Sequence, residues 1–217
     1  RLEDCKALVF FEDDDKEVTL YVGISAVDEK GARNNLFSSV GEHCDMTFSK
    51  AKKAASAEWE KALSVIEVEG GSREDRRNFY TALYHCMTSP YLYTDADGRY
   101  RPMKVKDSTF SFLSPNGDFT IPEHNTYTVF SVWDTYRALH PLLNIIDPER
   151  SRDFVLTMLD HYKQSGELTM WELSSHETHC MIGYHAVSVI LDAYRTGVLD
   201  GLDEGTMNNL LDDMINT

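Results

Sequence analysis

The segment DPERSRDFVLTMLDHYKQSG, residues 147–166, carries at both ends the residues that open and close a helix. Asp147 offers a side-chain acceptor to the free amides of a first turn. Pro148 has the backbone angle of a first helical position and lacks the N–H that such a position leaves unpaired, while Gly166 tolerates the left-handed conformation of a helix stop. The spacing therefore predicts a helix over 148–164. Similar signals recur along most of the chain. Ser72-x-x-Asp75 resembles a capping box with Asp in place of Glu or Gln, and Phe79, Leu83 and Met87 follow on one face before Pro90. Helical spacing continues over 126–143, over 178–196 with Gly197 behind it, and from about Glu204. It also covers 32–40 and 49–66, where Ala54, Trp59, Leu63 and Ile66 share a stripe. The expectation is a mainly α chain.

Before these helices stand two β-rich runs, residues 6–11 and 17–25, joined by the acidic turn EDDDK. They read as an antiparallel hairpin, which cannot bury its apolar face alone and calls for further strands. Three parts are expected: 1–27 as the end of a β domain, 28–70 as a helical linker, and 71–217 as the first part of a helical domain. A chain that starts at Arg1 and stops at Thr217 inside a helical pattern reads as a fragment, so the lack of a signal peptide carries no weight. Asp95-Ala96-Asp97-Gly98 resembles the opening of a calcium loop, but Lys106 stands where the bidentate Glu belongs. A hairpin turn is the simpler reading, because Asp-Gly supplies the positive φ that such turns need. The irregular stretch 103–125 is long enough to suggest a functional loop.

A formal net charge of −15 argues against a nucleic-acid-binding surface, which needs clustered Lys and Arg to displace counterions. A neutral or polar ligand suits it better, and nucleic acid is not an expected partner. Apolar runs such as residues 186–191 fall short of a membrane span. Cys5, Cys44, Cys86 and Cys180 form no C-x-x-C pair and do not fix the redox compartment.

The densest chemistry lies in WELSSHETHCMIGYH, residues 171–185. His176-Glu177-Thr178-His179 is one residue short of the H-E-x-x-H zinc motif. On a helix His176 and His179 would stand about 60° apart, with His185 about 120° further round, so the three do not obviously converge. Cys180 is a further possible ligand. Glu172 and Glu177 would diverge on a helix and could face one substrate only across a loop, as Ser174-Ser175 suggests. A single catalytic carboxylate with its partner elsewhere is simpler. The apolar positions after Met181 imply a helix buried on most sides, with His185 a hydrogen-bonded core histidine and Glu177 a first-turn carboxylate. Trp133-Asp134 is a second candidate. A ring beside a carboxylate suits a sugar, while a buried Trp with an Asp134–Arg137 ion pair explains the same residues.

Four blocks, FYTALYHCMTSPYLYTDADGRYR (79–101), YTVFSVWDTYRALHPLL (127–143), DPERSRDFVLTMLDHYKQSGELTMWEL (147–173) and ETHCMIGYHAVSVILDAY (177–194), resemble the α-mannosidases of glycoside hydrolase family 92. VGISAVDEKGARNNL (22–36) resembles the end of that family's N-terminal β-sandwich. The resemblance implies part of an (α/α)6 toroid, preceded by a helical linker and the last strands of a β-sandwich. It implies an exo-acting enzyme that releases terminal α-linked mannose from glycans, such as N-glycans, with inversion. A calcium ion would assist, held mostly by ligands outside this chain, and the protein would be periplasmic or secreted. Glu177 takes the place of the general acid, with an aspartate base beyond Thr217, so the fragment alone should be inactive. Trp133, Asp134, Trp171, Glu172 and His176 are the expected substrate contacts. Met170, Trp171 and Met181 should give Glu177 apolar neighbours. His176 departs from the usual Asn, and Ser175 from the common Gly. Two alternatives are a non-catalytic member that binds mannose-containing glycans, and a zinc hydrolase using His176, His179 and Cys180.

Overall fold

The computed structural model describes residues 8–11, 17–103 and 119–216. These are mainly helical. Helix α1 spans Glu29–Val40, α2 Phe48–Leu63 and α3 Arg73–Thr88. Both halves of the expected capping box form at α3: the Ser72 hydroxyl accepts from Asp75 N, and the Asp75 carboxylate accepts from Ser72 N. Helices α1 and α2 likewise fall where the spacing placed helices. The hairpin before them does not form among the described residues. Residues 8–11 and 17–25 carry no strand pairing, and Leu8, Phe10, Leu20 and Ile24 are exposed, because these side chains have no sheet to lie on.

The stretch 126–143, expected to be one helix, is broken into four elements. Strand β2 (Tyr127–Thr128) pairs with β1 (Tyr91–Leu92), and β3 (Phe130–Ser131) continues past Val129, whose φ of 67° no helix accommodates. Short α4 (Val132–Thr135) and then α5 (Leu139–Ile146) follow. Helix α6 spans Pro148–Ser165, with Asp147 accepting from Arg150 N and Gly166 in the left-handed region. Strand β4 is Trp171–Glu172, α7 is His185–Arg195 and α8 is Glu204–Asn216. No helix of the described residues is long and apolar enough to cross a membrane.

The core lies between α5, α6 and α7. Phe130, Val132, Leu143, Phe154, Val155, Met158, Ala186, Val189, Ile190 and Ala193 are all buried there, the larger side chains worth about 1.5–3 kcal/mol each. His140 and His161 sit in the same core. Burial pushes their imidazoles down to about 4 and about 3, which keeps both rings neutral, and His161 Nδ1 shares a 2.8 Å hydrogen bond with Thr169 Oγ1. Helix α7 buries one face only: Leu191 and Tyr194 are exposed, whereas the sequence suggested a helix enclosed on most sides.

The Asp95–Gly98 turn docks on α1. Asp95 accepts from Ser25 Oγ at 2.6 Å and Asn35 Nδ2 at 2.7 Å, while Arg99 joins Asp28 at 2.7 Å and Asp97 at 2.9 Å. Protein donors occupy these carboxylates, and Gly98 has the positive φ expected of a turn residue. The arms of the turn do not pair in register with each other: Leu92 pairs with Tyr127 and Tyr100 with Thr120. Most of the irregular stretch 103–125 lies outside the described residues. Gly31 lets α1 approach the turn, since a Cβ there would stand 2.3 Å from Asp95 Oδ2 and 2.5 Å from Ser25 Oγ. Gly31→Ala is expected to destabilise the protein by about 1–3 kcal/mol in denaturant unfolding and to speed proteolysis between α1 and α2. A change below about 0.5 kcal/mol would show that the docking does not depend on this approach.

Candidate active site

The stretch 171–178 is a hairpin, not the lead-in to a helix. Leu173 and His176 exchange backbone hydrogen bonds of 2.8 and 3.1 Å, and Glu172 stands directly opposite Glu177. The two turn residues, Ser174 and Ser175, have φ of 50° and 65°. A two-residue turn with positive φ at both positions matches the right-handed twist of its strands, but Asn-Gly is its usual sequence. Non-glycine residues there cost about 1–2 kcal/mol each. The expected helix from Thr178 begins only at His185, because His179 (φ 53°) and Gly183 (φ 116°) turn the chain out of helical geometry.

Glu177 is 5% exposed, with its carboxylate folded back over the base of the hairpin. Oε2 accepts from Met170 N at 2.8 Å, Oε1 from Trp171 N at 3.0 Å and His179 N at 3.2 Å. The expected apolar neighbours Met170 and Trp171 are indeed adjacent, but it is their N–H groups that meet the carboxylate. Thr178 closes the hairpin through Oγ1 to Trp171 O at 2.8 Å.

Glu172, expected on the pocket wall, is instead wholly enclosed, with 0% exposure. Its Oε1 accepts from Ser175 N at 2.6 Å and Thr128 Oγ1 at 2.9 Å, and its Oε2 from Val129 N at 3.1 Å. Burial pushes this carboxyl up to about 7, against hydrogen bonds that pull it down. The two glutamates are opposed residues of one hairpin, and Glu172 presents no surface to a substrate.

Strand pairing brings the second candidate alongside. Ser131 pairs with Trp171, and Val132 N donates to Met170 O at 3.1 Å, so α4 starts beside β4, whose Trp171 N–H binds Glu177. Trp133 and Asp134 are exposed. The Asp134–Arg137 pair is not what orders them: Asp134 accepts from Ser131 Oγ at 2.5 Å, while Arg137 lies over the Tyr136 ring at 4.9 Å. Trp171 is half-buried and His176 exposed. His185 is half-buried against Tyr136, and its buried Nδ1 makes no hydrogen bond. At Met170, whose N–H binds Glu177, opens a cavity of about 240 Å³, lined also by Glu167, Thr169, Gly183, Tyr184 and Val187. A second cavity, of about 690 Å³, at Tyr100, His124, Asp160 and Gln164, holds none of the predicted site residues.

The zinc alternative finds no ligand set. His179 Nε2 meets Glu167 Oε2 at 2.7 Å, Cys180 Sγ accepts from Thr178 Oγ1, and among the described residues no three His, Cys, Asp or Glu side chains are arranged to hold a metal. Two residues of the site, Thr128 and Arg101, escaped sequence reasoning. Thr128 bonds Glu172 and accepts from Ser174 N at 2.8 Å, Arg101 Nη2 donates to Ser174 O at 2.9 Å, and Ser175 Oγ donates to Arg101 O. The only available signal was the β-branched and aromatic run Tyr127–Val132, which favours strand.

The model of the glycosyl hydrolase family 92 catalytic domain matches residues 31–217. Among solved structures, a family 92 α-mannosidase of Bacteroides thetaiotaomicron is 35% identical, with a TM-score of 0.75 over 89% of this chain and 24% of its own. The complex of that enzyme with mannoimidazole matches at 35% identity and a TM-score of 0.74, over 88% of this chain and 23% of its own. An inverting family 92 mannosidase of the same organism is 28% identical, with a TM-score of 0.71 over 88% of this chain and 24% of its own. This chain thus spans about a quarter of the length of the structures it matches. Comparison with curated proteins gives no match.

The raised Glu172 carboxyl has a consequence for stability. Its folded value, about 7, lies above the ordinary 4.5, so its contribution to stability is fully present below about 4.5 and is lost as pH rises through 7. The unfolding free energy of the wild type minus that of Glu172→Gln should fall by up to about 3 kcal/mol across this window. Taking the difference removes the opposite contribution of His140 and His161, which is lost as pH falls below about 6.5. A difference independent of pH would contradict the assignment.

Proposed function

The chain belongs to glycosyl hydrolase family 92, and from that premise we propose that it is the first part of the catalytic domain of an exo-α-mannosidase. The observation that carries this reading is the 35% identity to a family 92 α-mannosidase over 89% of this chain, with the motif carboxylate Glu177 held in one hairpin whose strand β4 pairs with β3, just before Trp133 and Asp134. In this role Glu177 gives its proton to the glycosidic oxygen as the bond to the anomeric carbon breaks. Water adds to that carbon from the opposite face and passes its proton to an aspartate base, which we place outside these 217 residues. The products are mannose of inverted configuration and the free alcohol. Inversion fits a site whose second carboxylate stands far enough away to admit water, roughly 6.5–9.5 Å. Glu172 cannot fill that place, because it is wholly enclosed and presents no surface to a water or a substrate.

The Trp133 ring would pack on the C–H face of the sugar while Asp134 accepts from its hydroxyls, with Trp171 and His176 flanking the leaving group. Glu172 is withdrawn from the substrate contacts. The N-terminal residues would complete a β-sandwich, and a mannose-glycan substrate outside the cytoplasm is the proposed setting. For calcium, no convergent set of acidic ligands stands among the described residues, so no step is assigned to it here. If the complete protein needs the ion, a chelator should abolish hydrolysis and added calcium restore it; activity unchanged after exhaustive chelation would remove calcium from the account.

The leading test is Glu177→Gln in the complete protein. On a mannoside with a poor leaving group kcat should fall about 10²–10⁴-fold, and on an activated aryl mannoside by less than about 10-fold. Equal loss on both would remove Glu177 as the acid. A wild type that binds mannosides without cleaving either would favour the binding member.

A further inference from the structure

We propose that Glu172 is a positioning residue for Glu177, acting with Thr128 and Arg101 as a buried clamp on the Ser174–Ser175 turn. The inference rests on the reading of Glu177 as proton donor. It starts from where the backbone is strained. Five non-glycine residues among those described have positive φ, and four of them, Val129, Ser174, Ser175 and His179, surround these two carboxylates. Each gives its N–H to the assembly: Val129 and Ser175 to Glu172, Ser174 to Thr128 Oγ1, and His179 to Glu177. Strained backbone persists only where its surroundings over-determine it, and here they do.

The clamp joins three segments distant in sequence. Thr128 and Val129 come from β2 and the residue after it, Glu172 from β4, and Arg101 from the segment after the Asp95–Gly98 turn. Arg101 takes hold of both turn residues, donating to Ser174 O and accepting from Ser175 Oγ through its own carbonyl. Glu172 and Glu177 are opposed residues of one hairpin, so the turn that Glu172 fixes also sets where the Glu177 strand returns. A rotation of that turn would shift Glu177 against the three amides that orient it, and misplacement of a catalytic group by about 1 Å can cost about 10²-fold in rate. A substrate contact does not explain Glu172, which has no exposed surface.

The chemistry of the clamp is selective. The backbone groups facing Glu172 are donors, so Gln turns an NH2 toward Val129 N or Ser175 N, and one hydrogen bond becomes a conflict. Thr128→Val keeps the shape but removes the hydroxyl that joins Glu172 to Ser174. Thr128→Ser keeps that hydroxyl and serves as the conservative rescue.

The test uses the complete protein and two substrates, a mannoside with a poor leaving group and one with an activated aryl leaving group. Glu172→Gln and Thr128→Val should lower kcat on the first by about 10–100-fold and on the second by less than about 3-fold, with KM nearly unchanged. Thr128→Ser should stay within about 3-fold of wild type, and adding Glu172→Gln to Glu177→Gln should bring little further loss. If Glu177→Gln shows leaving-group dependence but the clamp variants slow both substrates equally, or losses multiply in the double variant, the clamp is overturned and the proton donor stands. If Glu177→Gln itself shows no such dependence, the proton-donor reading fails and the clamp fails with it. Should Glu172→Gln not fold, the Thr128→Val and Thr128→Ser pair decides on its own.

Discussion

A carboxylate sealed from solvent and met by two backbone amides and a threonine hydroxyl is the interaction on which the site depends. Removing a charged group from water is costly, and leaving it without donors in the interior is costlier still. Glu172 can be buried only because Ser175 N, Val129 N and Thr128 Oγ1 converge on it, and these groups converge only while the chain keeps its positive-φ residues. Burial and strain thus stabilise each other. The hairpin that results carries Glu177 to the edge of the core with both oxygens already oriented.

The clamp connects in turn to α1. Arg99 holds Asp28, the N-cap residue of α1, and two residues later Arg101 holds the Ser174–Ser175 turn. One short segment therefore bridges α1 and the site. Helices α5, α6 and α7 supply the apolar mass behind it, and β3 and β4 transmit their position to Trp133 and Trp171.

Elements with local punctuation could be read from the sequence. Helix α6 was bounded by Asp147, Pro148 and Gly166, and α3 by Ser72 and Asp75, because a cap is decided by residues within one turn of each other. The stretch 126–143 was misread because Tyr127–Val132 suits helix or strand, and its partners at 171–172 lie some forty residues away. Apolar spacing after Met181 suggested a helix from Thr178, but spacing does not report the backbone reversals at His179 and Gly183. Glu177 stood out through its motif. Its cradle did not, since backbone amides leave no mark in a sequence, and Glu172 was assigned to the pocket wall because nothing local shows that Thr128 and Val129 enclose it.

Amide hydrogen exchange tests this account most directly. In the complete protein the peptide spanning 171–179 should be protected to a degree comparable with α6, because the N–H groups of Trp171, Ser175 and His179 are bound to the two carboxylates. Exchange of that peptide at the rate of an exposed loop, with α6 still protected, would contradict it.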